Sequence, residues 1–126
     1  MKLLQSGEDY LKAIMLLQQK NGTVRSVDVA KHLKVTKPSV SVAIRQLREG
    51  GFLTMGEDKL LLLTPSGREV AEHIQERHRI IKNGLVSLGV DSEIAERDAC
   101  RIEHVISPES FEKIKAYWGR QAPANT

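Results

Sequence analysis

The sequence predicts a mostly α-helical protein with one small β-hairpin, arranged as a winged helix-turn-helix followed by an all-helical domain. Three observations carry this prediction. Apolar residues recur at helical spacing, good capping residues precede most of these stretches, and two short apolar runs flank a Gly-acid turn. The 126 residues are enough for one or two small domains. We expect a first domain at 1–70, a second at 71–119 and a flexible tail at 120–126.

The first domain begins with three predicted helices. Ser6 is the expected N-cap of the first, which ends at Asn21-Gly22. Ser26 is the expected cap of a short second helix. Thr36 caps the third, with Pro38 in its first turn, where the missing N–H does no harm. The apolar runs at 52–55 and 59–64 predict a hairpin, and this order of elements is typical of a winged helix-turn-helix.

Three further helices are predicted after the hairpin. Thr64 caps a long helix that runs to about residue 88, Asp91 caps one that runs to about 106, and Ser107 caps one that runs to about 118. The apolar residues that we expect the last helix to bury are Phe111, Ile114, Tyr117 and Trp118.

Composition limits the class of protein. The net charge is +3, and residues 1–70 carry eleven Lys or Arg against seven Asp or Glu, so the positive surplus lies in the first domain. No stretch is apolar and long enough to cross a membrane, and no signal peptide is recognisable. The single cysteine rules out an internal disulfide. We therefore expect a cytoplasmic protein without a membrane partner.

The third helix is the predicted DNA-reading element. A single helix fits the major groove, and its first residues meet the base edges, while basic side chains hold phosphates. Solvation of an exposed helix face would explain the same polar residues, but the order of elements favours double-stranded DNA. The residues that we expect to contact DNA are Thr36, Lys37, Pro38, Ser39, Ser41 and Arg45.

A homodimer on a palindromic operator is expected, because one helix-turn-helix module reads only a short half-site. The second domain carries more apolar side chains than three short helices readily bury, although packing within one chain would be the simpler use for them. The residues of the expected dimer surface are Leu85, Val86, Leu88, Val90 and Ile94.

A metal site is predicted in the second domain. Cys100, Glu103 and His104 are spaced so that they share one helix face, and a thiolate, a carboxylate and an imidazole together can hold one divalent transition metal. The simpler alternative is that Cys100 is a small buried hydrophobic residue and that its neighbours face water.

The chain resembles the DtxR/MntR family of metal-dependent transcriptional repressors from residue 5 to about 118, in the short form without an SH3-like domain. The blocks that carry the resemblance are Glu8 to Leu11, Val40-Ser41 with Pro38 ahead of them, Leu63 to Gly67, Glu76 to Arg79, and Asp98 to Ser107. The resemblance implies a DNA-binding repressor that controls iron or manganese homeostasis and binds its operator when it holds a divalent metal.

The resemblance also implies two groups of metal ligands. The main site falls on Asp9, Cys100, Glu103 and His104, and the second site falls on His78 and Glu96. Carboxylate oxygen suits Mn²⁺, whereas thiolate prefers Fe²⁺, Co²⁺ or Zn²⁺. We expect Fe²⁺ or Mn²⁺, with Co²⁺, Ni²⁺ or Zn²⁺ as possible substitutes.

Lysines stand at two positions where the family has further ligands, Lys12 and Lys82. One hypothesis is that an ammonium from either lysine occupies the second site and leaves one metal per subunit.

A metal held by Asp9 and by the residues of the second domain would tie the two domains together. Three other functions remain open at this point. They are a metalloenzyme, a metal-independent regulator with Cys100 as a redox sensor, and a dimeric protein-interaction module. Against the metalloenzyme, the sequence shows no general base beside the ligands. We expect a regulator and not an enzyme.

Overall fold

The computed structural model describes residues 3–119, which form six helices and one two-stranded antiparallel sheet. The predicted fold class is confirmed. The chain divides into two compact units between Glu72 and His73. The predicted tail at 120–126 lies outside the described residues. In chain order the elements are α1 (Gln5–Asn21), α2 (Ser26–Leu33), α3 (Lys37–Glu49), β1 (Leu53–Met55), β2 (Leu61–Leu63), α4 (Pro65–Ser87), α5 (Ser92–Val105) and α6 (Pro108–Trp118).

The first unit packs α1, α2, α3 and the hairpin around an aliphatic core. Leu11, Ile14 and Val40 are completely buried in it. In the hairpin, Leu53 pairs with Leu63 and Met55 with Leu61 in an antiparallel register. The alternation of the strands turns Leu61 into the core and leaves Leu62 on the surface. The aliphatic core therefore fixes both the recognition helix and the hairpin.

Four of the predicted N-caps are confirmed. The side-chain oxygens of these residues accept backbone N–H groups of the first helical turn at 3.0 to 3.3 Å. They are Thr36, Thr64, Asp91 and Ser107.

Two predicted N-caps are wrong. Helix α1 begins one residue before Ser6, with Leu4 as its N-cap and no side-chain cap. Helix α2 begins at Ser26 itself, because the Asp28 carboxylate accepts the Arg25 backbone N–H at 2.8 Å and makes Arg25 the cap.

The second unit packs the later part of α4 against α5 and α6 around a small core that contains Ile80, Ile81 and Phe111. Tyr117 is 65% exposed, so the prediction that it is buried is wrong. Trp118 packs against this core as expected, because it lies seven residues after Phe111, on the same helix face, whereas Tyr117 does not.

None of the described helices combines the length and the apolar character that a membrane span requires.

The contact between Gly84 and Trp118 gives a test of the second unit. A Cβ atom at Gly84 would overlap the indole ring of Trp118. We expect Gly84→Ala to lower the free energy of unfolding by about 1–3 kcal/mol through overpacking, which outweighs the roughly 1 kcal/mol that alanine gains in a helix. The measurement is urea unfolding followed by fluorescence of the single tryptophan.

Gly119→Ala is the control, because its added Cβ would meet only Lys115 Cγ at 3.7 Å, an ordinary contact. A Gly84→Ala variant as stable as the wild type would show that α4 and α6 do not pack in this way.

Candidate metal centre

Helices α4 and α5 bring several potential metal ligands together in the second unit. His78 lies on α4, and Glu96, Cys100 and Glu103 lie at intervals of four and three residues along α5. These intervals place the three α5 residues on one helix face. We call His78, Glu96, Cys100 and Glu103 the donor cluster.

His78 is the centre of the donor cluster. Its Nε2 atom is 3.0 Å from Glu96 Oε2, and its Nδ1 atom is 2.8 Å from Glu103 Oε1. His78 is 8% exposed, so the polar atoms of its imidazole need partners within the protein. The two carboxylates provide them, and this ring joins α4 to two successive turns of α5.

Cys100 lies beside this imidazole. Its thiol donates a hydrogen bond to Glu96 Oε2 at 3.6 Å, and its Sγ atom is 3.8 Å from His78 Nδ1. One ligand atom from each of His78, Glu96 and Cys100 lies within 4.8 Å of the others. Cys100 is exposed, whereas His78 is buried. The alternative prediction that Cys100 is a buried hydrophobic residue is therefore wrong.

Glu103 and His104 form the buried end of this face. Both side chains are 1% exposed, and His104 Nε2 is 3.3 Å from Glu103 Oε2. Burial of an ionised carboxylate is costly unless cations or hydrogen-bond donors surround it. Glu103 therefore lies where a bound cation would stabilise it.

Lys82 adds a positive charge at the edge of the donor cluster. Its Nζ atom is 2.9 Å from Glu96 Oε1. Burial raises the pKa of the Glu96 carboxyl, but the hydrogen bond from Lys82 and the charge of His78 outweigh this effect and leave the pKa lowered. Glu96 is therefore held in its ionised form.

Arg77 is a structural residue that the sequence analysis missed. Its Nη1 atom donates to the backbone oxygens of Glu103 at 3.3 Å and Ile106 at 3.1 Å, and its guanidinium lies over the Phe111 ring. These carbonyls end α5 and have no helical partner, so a cation there is favourable. Its targets lie more than 25 residues away along the chain, and no local pattern could reveal them.

The assignment of the predicted ligands to two sites stays a prediction. Cys100, predicted in the main site, lies beside His78 and Glu96, predicted in the second. Asp9 lies on α1 in the first unit, and its role as a ligand stays a prediction. The imidazole, carboxylate and thiol of the donor cluster are a set that fits a first-row divalent transition metal.

The predicted DNA contacts lie together at the start of α3. All six predicted residues, from Thr36 to Arg45, are exposed. The sequence analysis missed Val42, an apolar residue that is 44% exposed beside Ser41 and three residues before Arg45. Its signal was available, because the buried residues of α3 are Val40, Ile44 and Leu47, whose helical spacing leaves position 42 outside.

Comparisons with known proteins match both halves of the chain to models of the same repressor family. Residues 2–61 match the family model described as the iron dependent repressor, N-terminal DNA binding domain. Residues 64–122 match the model described as the iron dependent repressor, metal binding and dimerisation domain.

Individual relatives cover most of the chain. The transcriptional regulator MntR of Salmonella typhimurium is 38% identical over 110 residues, which are 87% of this chain and 70% of that protein. The diphtheria toxin repressor of Corynebacterium diphtheriae is 31% identical over 108 residues, which are 85% of this chain and 48% of that protein.

Solved structures share the fold. A manganese-dependent transcriptional repressor in complex with manganese is similar with a TM-score of 0.81 and 31% identity, over 90% of this chain and 52% of that one. The IdeR protein of T. acidophilum is similar with a TM-score of 0.78 and 28% identity, over 94% of this chain and 55% of that one.

Proposed function

The chain belongs to the DtxR/MntR family of metal-dependent transcriptional repressors, and we propose that it binds a palindromic operator as a homodimer when it holds Fe²⁺ or Mn²⁺. The observation that carries this proposal is the set of metal-ligand types on α5, the exposed Cys100 with the buried side chains of Glu103 and His104, in a chain whose α3 begins with exposed polar residues. We further propose that it is a regulator and not an enzyme, since its relatives are regulators. A repressor of chromosomal genes works where the DNA is, so the proposal implies a cytoplasmic location.

The proposed main ligands are Asp9, Cys100, Glu103 and His104. Three of them lie on α5, and Asp9 is assigned by the likeness of its motif to that of the family. A bound divalent ion supplies positive charge to ionised acids and a thiolate, which are unfavourable together without it. Because Asp9 and the α5 ligands belong to different units, metal binding is coupled to the unit that carries α3.

The identity of the metal follows from the ligand types. A similar solved structure is named a manganese-dependent repressor, and the matching family model is described as an iron dependent repressor. The Asp9 carboxylate suits the harder Mn²⁺, and the Cys100 thiolate suits Fe²⁺, Co²⁺ or Zn²⁺. We propose Fe²⁺ or Mn²⁺ as the working metal, with a slight preference for Fe²⁺.

Helix α3 is the proposed reading element. Lys37 and Arg45 are placed to hold phosphates, while Ser39 and Ser41 offer hydroxyl groups to base edges. The exposed Val42 adds an apolar contact of the kind that distinguishes the methyl group of thymine.

The proposed dimer surface lies at the end of α4 and the start of α5. Leu88 is 69% exposed, and Val86 and Ile94 are also exposed. Exposed apolar side chains that lie close along the chain are typical of an interface.

The first test measures operator binding with and without metal. We expect binding in Fe²⁺ or Mn²⁺ under anaerobic conditions and its loss in EDTA. The Asp9→Ala variant should lose at least about tenfold of the metal-dependent affinity, which is about 1.4 kcal/mol of coupling, and keep its circular dichroism spectrum. The measurement is a gel shift on operator DNA selected from random sequence.

Glu69→Ala, which removes an exposed acid of the same unit, is the control for Asp9→Ala. The redox-sensor alternative would be favoured instead by two results together: DNA binding is unchanged in EDTA, and oxidant changes DNA binding in the wild type but not in Cys100→Ser.

The second test examines phosphate contacts. We expect Arg45→Gln to weaken binding on all sequences alike and to make the slope of log K against log salt shallower by about 0.9, because one phosphate contact is lost. The measurement is fluorescence anisotropy over a series of salt concentrations. Lys31→Gln on α2 is the control, and an equal change of slope in both variants would argue against a specific role for Arg45.

The third test examines the dimer. We expect Leu88→Lys to give a monomer, because an ammonium at an apolar interface would be desolvated without a partner. Light scattering after size-exclusion chromatography measures the mass. Tyr117→Lys is the control, since Tyr117 is similarly exposed at the end of α6. A dimeric Leu88→Lys protein would place the interface elsewhere.

A further inference from the structure

Glu96 is shared between two positively charged or proton-donating groups. Lys82 Nζ lies 2.9 Å from Glu96 Oε1, and His78 Nε2 lies 3.0 Å from Glu96 Oε2. Lys82 follows His78 by four residues on α4, so both side chains reach the same part of α5. Each oxygen of this carboxylate therefore has a contact within the second unit.

The contact with Lys82 changes what this face can bind. A protonated lysine has three donors and no acceptor, so it cannot ligate a metal. A divalent ion bound through Glu96 would have to displace the ammonium or lie close to it, and the repulsion between like charges at such distances is strong. The face formed by His78, Glu96 and Cys100 has suitable metal ligands, but a cation of the protein already neutralises one of them.

We propose that Lys82 is an internal cation that keeps Glu96 from binding metal, so that each chain holds one divalent ion instead of two. This inference rests on the proposed function, because it assumes that the remaining ligands hold the regulatory metal. It identifies Lys82 as a lysine that closes the second position, and it makes Lys82 the residue that sets the metal stoichiometry.

A second ion pair of the same unit supplies a matched control. Lys115 Nζ lies 3.1 Å from Glu76 Oε2, and the exposed fractions of this pair, 43% and 36%, are close to the 33% and 45% of Lys82 and Glu96. Neither residue of the control pair belongs to the donor cluster. Replacement of either lysine by methionine removes one charge and leaves an unbranched side chain that is one atom shorter.

The experiment counts Co²⁺ ions per chain by equilibrium dialysis and atomic absorption, without oxygen and with a phosphine reductant. The proteins are the full-length wild type, Lys82→Met, Lys115→Met and Lys82→Glu. We expect one ion for the wild type and for Lys115→Met, and two ions for both Lys82 variants. In Lys82→Glu, the new carboxylate should make the second ion bind more tightly than in Lys82→Met.

Three outcomes overturn the proposal. They are two ions in the wild type, a second ion in Lys115→Met, or one ion in Lys82→Met. Both Lys82 variants remove the ammonium, but only Lys82→Glu adds a carboxylate. If Lys82→Glu binds two ions and Lys82→Met only one, the second position therefore lacks a ligand and is not blocked by the charge of Lys82. A wild type that binds no Co²⁺ contradicts the proposed function. In that case an ion bound by Lys82→Met still supports the role of Lys82, and no ion in that variant overturns it.

Discussion

The buried imidazole of His78 is the constraint on which the second unit depends. Because the whole residue is only 8% exposed, its ring must find partners inside the protein, and here both ring nitrogens face carboxylate oxygens of α5. These contacts fix the rotation of α5 about its axis and therefore the direction in which Cys100 and Glu103 point. Arg77, the neighbour of His78, holds the end of α5 through two backbone carbonyls. The geometry of the ligands thus follows from two successive residues of α4.

The same arrangement explains why the donor cluster suits a cation. Glu96 and Glu103 bring two acids to one imidazole, and Glu103 is almost completely buried. Lys82 neutralises the acid at the exposed edge, whereas the buried acid lies beside His104. The charge balance therefore differs between the two ends of the face, and the buried end is where a divalent ion gains most from the low dielectric.

Much of the fold could be predicted from the sequence, because its signals are local. Thr36, Thr64, Asp91 and Ser107 mark helix starts through hydrogen bonds that span two or three residues. Of the two missed caps, the one at Ser26 is a shift of one residue, to Arg25, whose backbone N–H the Asp28 carboxylate accepts. The one at Ser6 is a shift of two residues, to Leu4, which makes no side-chain cap. The shared helix face of Cys100, Glu103 and His104 could be predicted from helical spacing. The contacts of Arg77 could not, and the pairing of Lys82 with Glu96 was only one of two possible lysine placements, because both depend on how α4 packs against α5.

We propose above all that Cys100 ligates the metal together with Asp9, Glu103 and His104. Absorption spectroscopy during a titration with Co²⁺ tests it directly, since the chain has one cysteine and any charge-transfer band from thiolate to Co²⁺ must come from Cys100. The account predicts such a band, which grows until the site is saturated and is absent in Cys100→Ser. Co²⁺ that binds to the wild-type protein without this band would contradict the account.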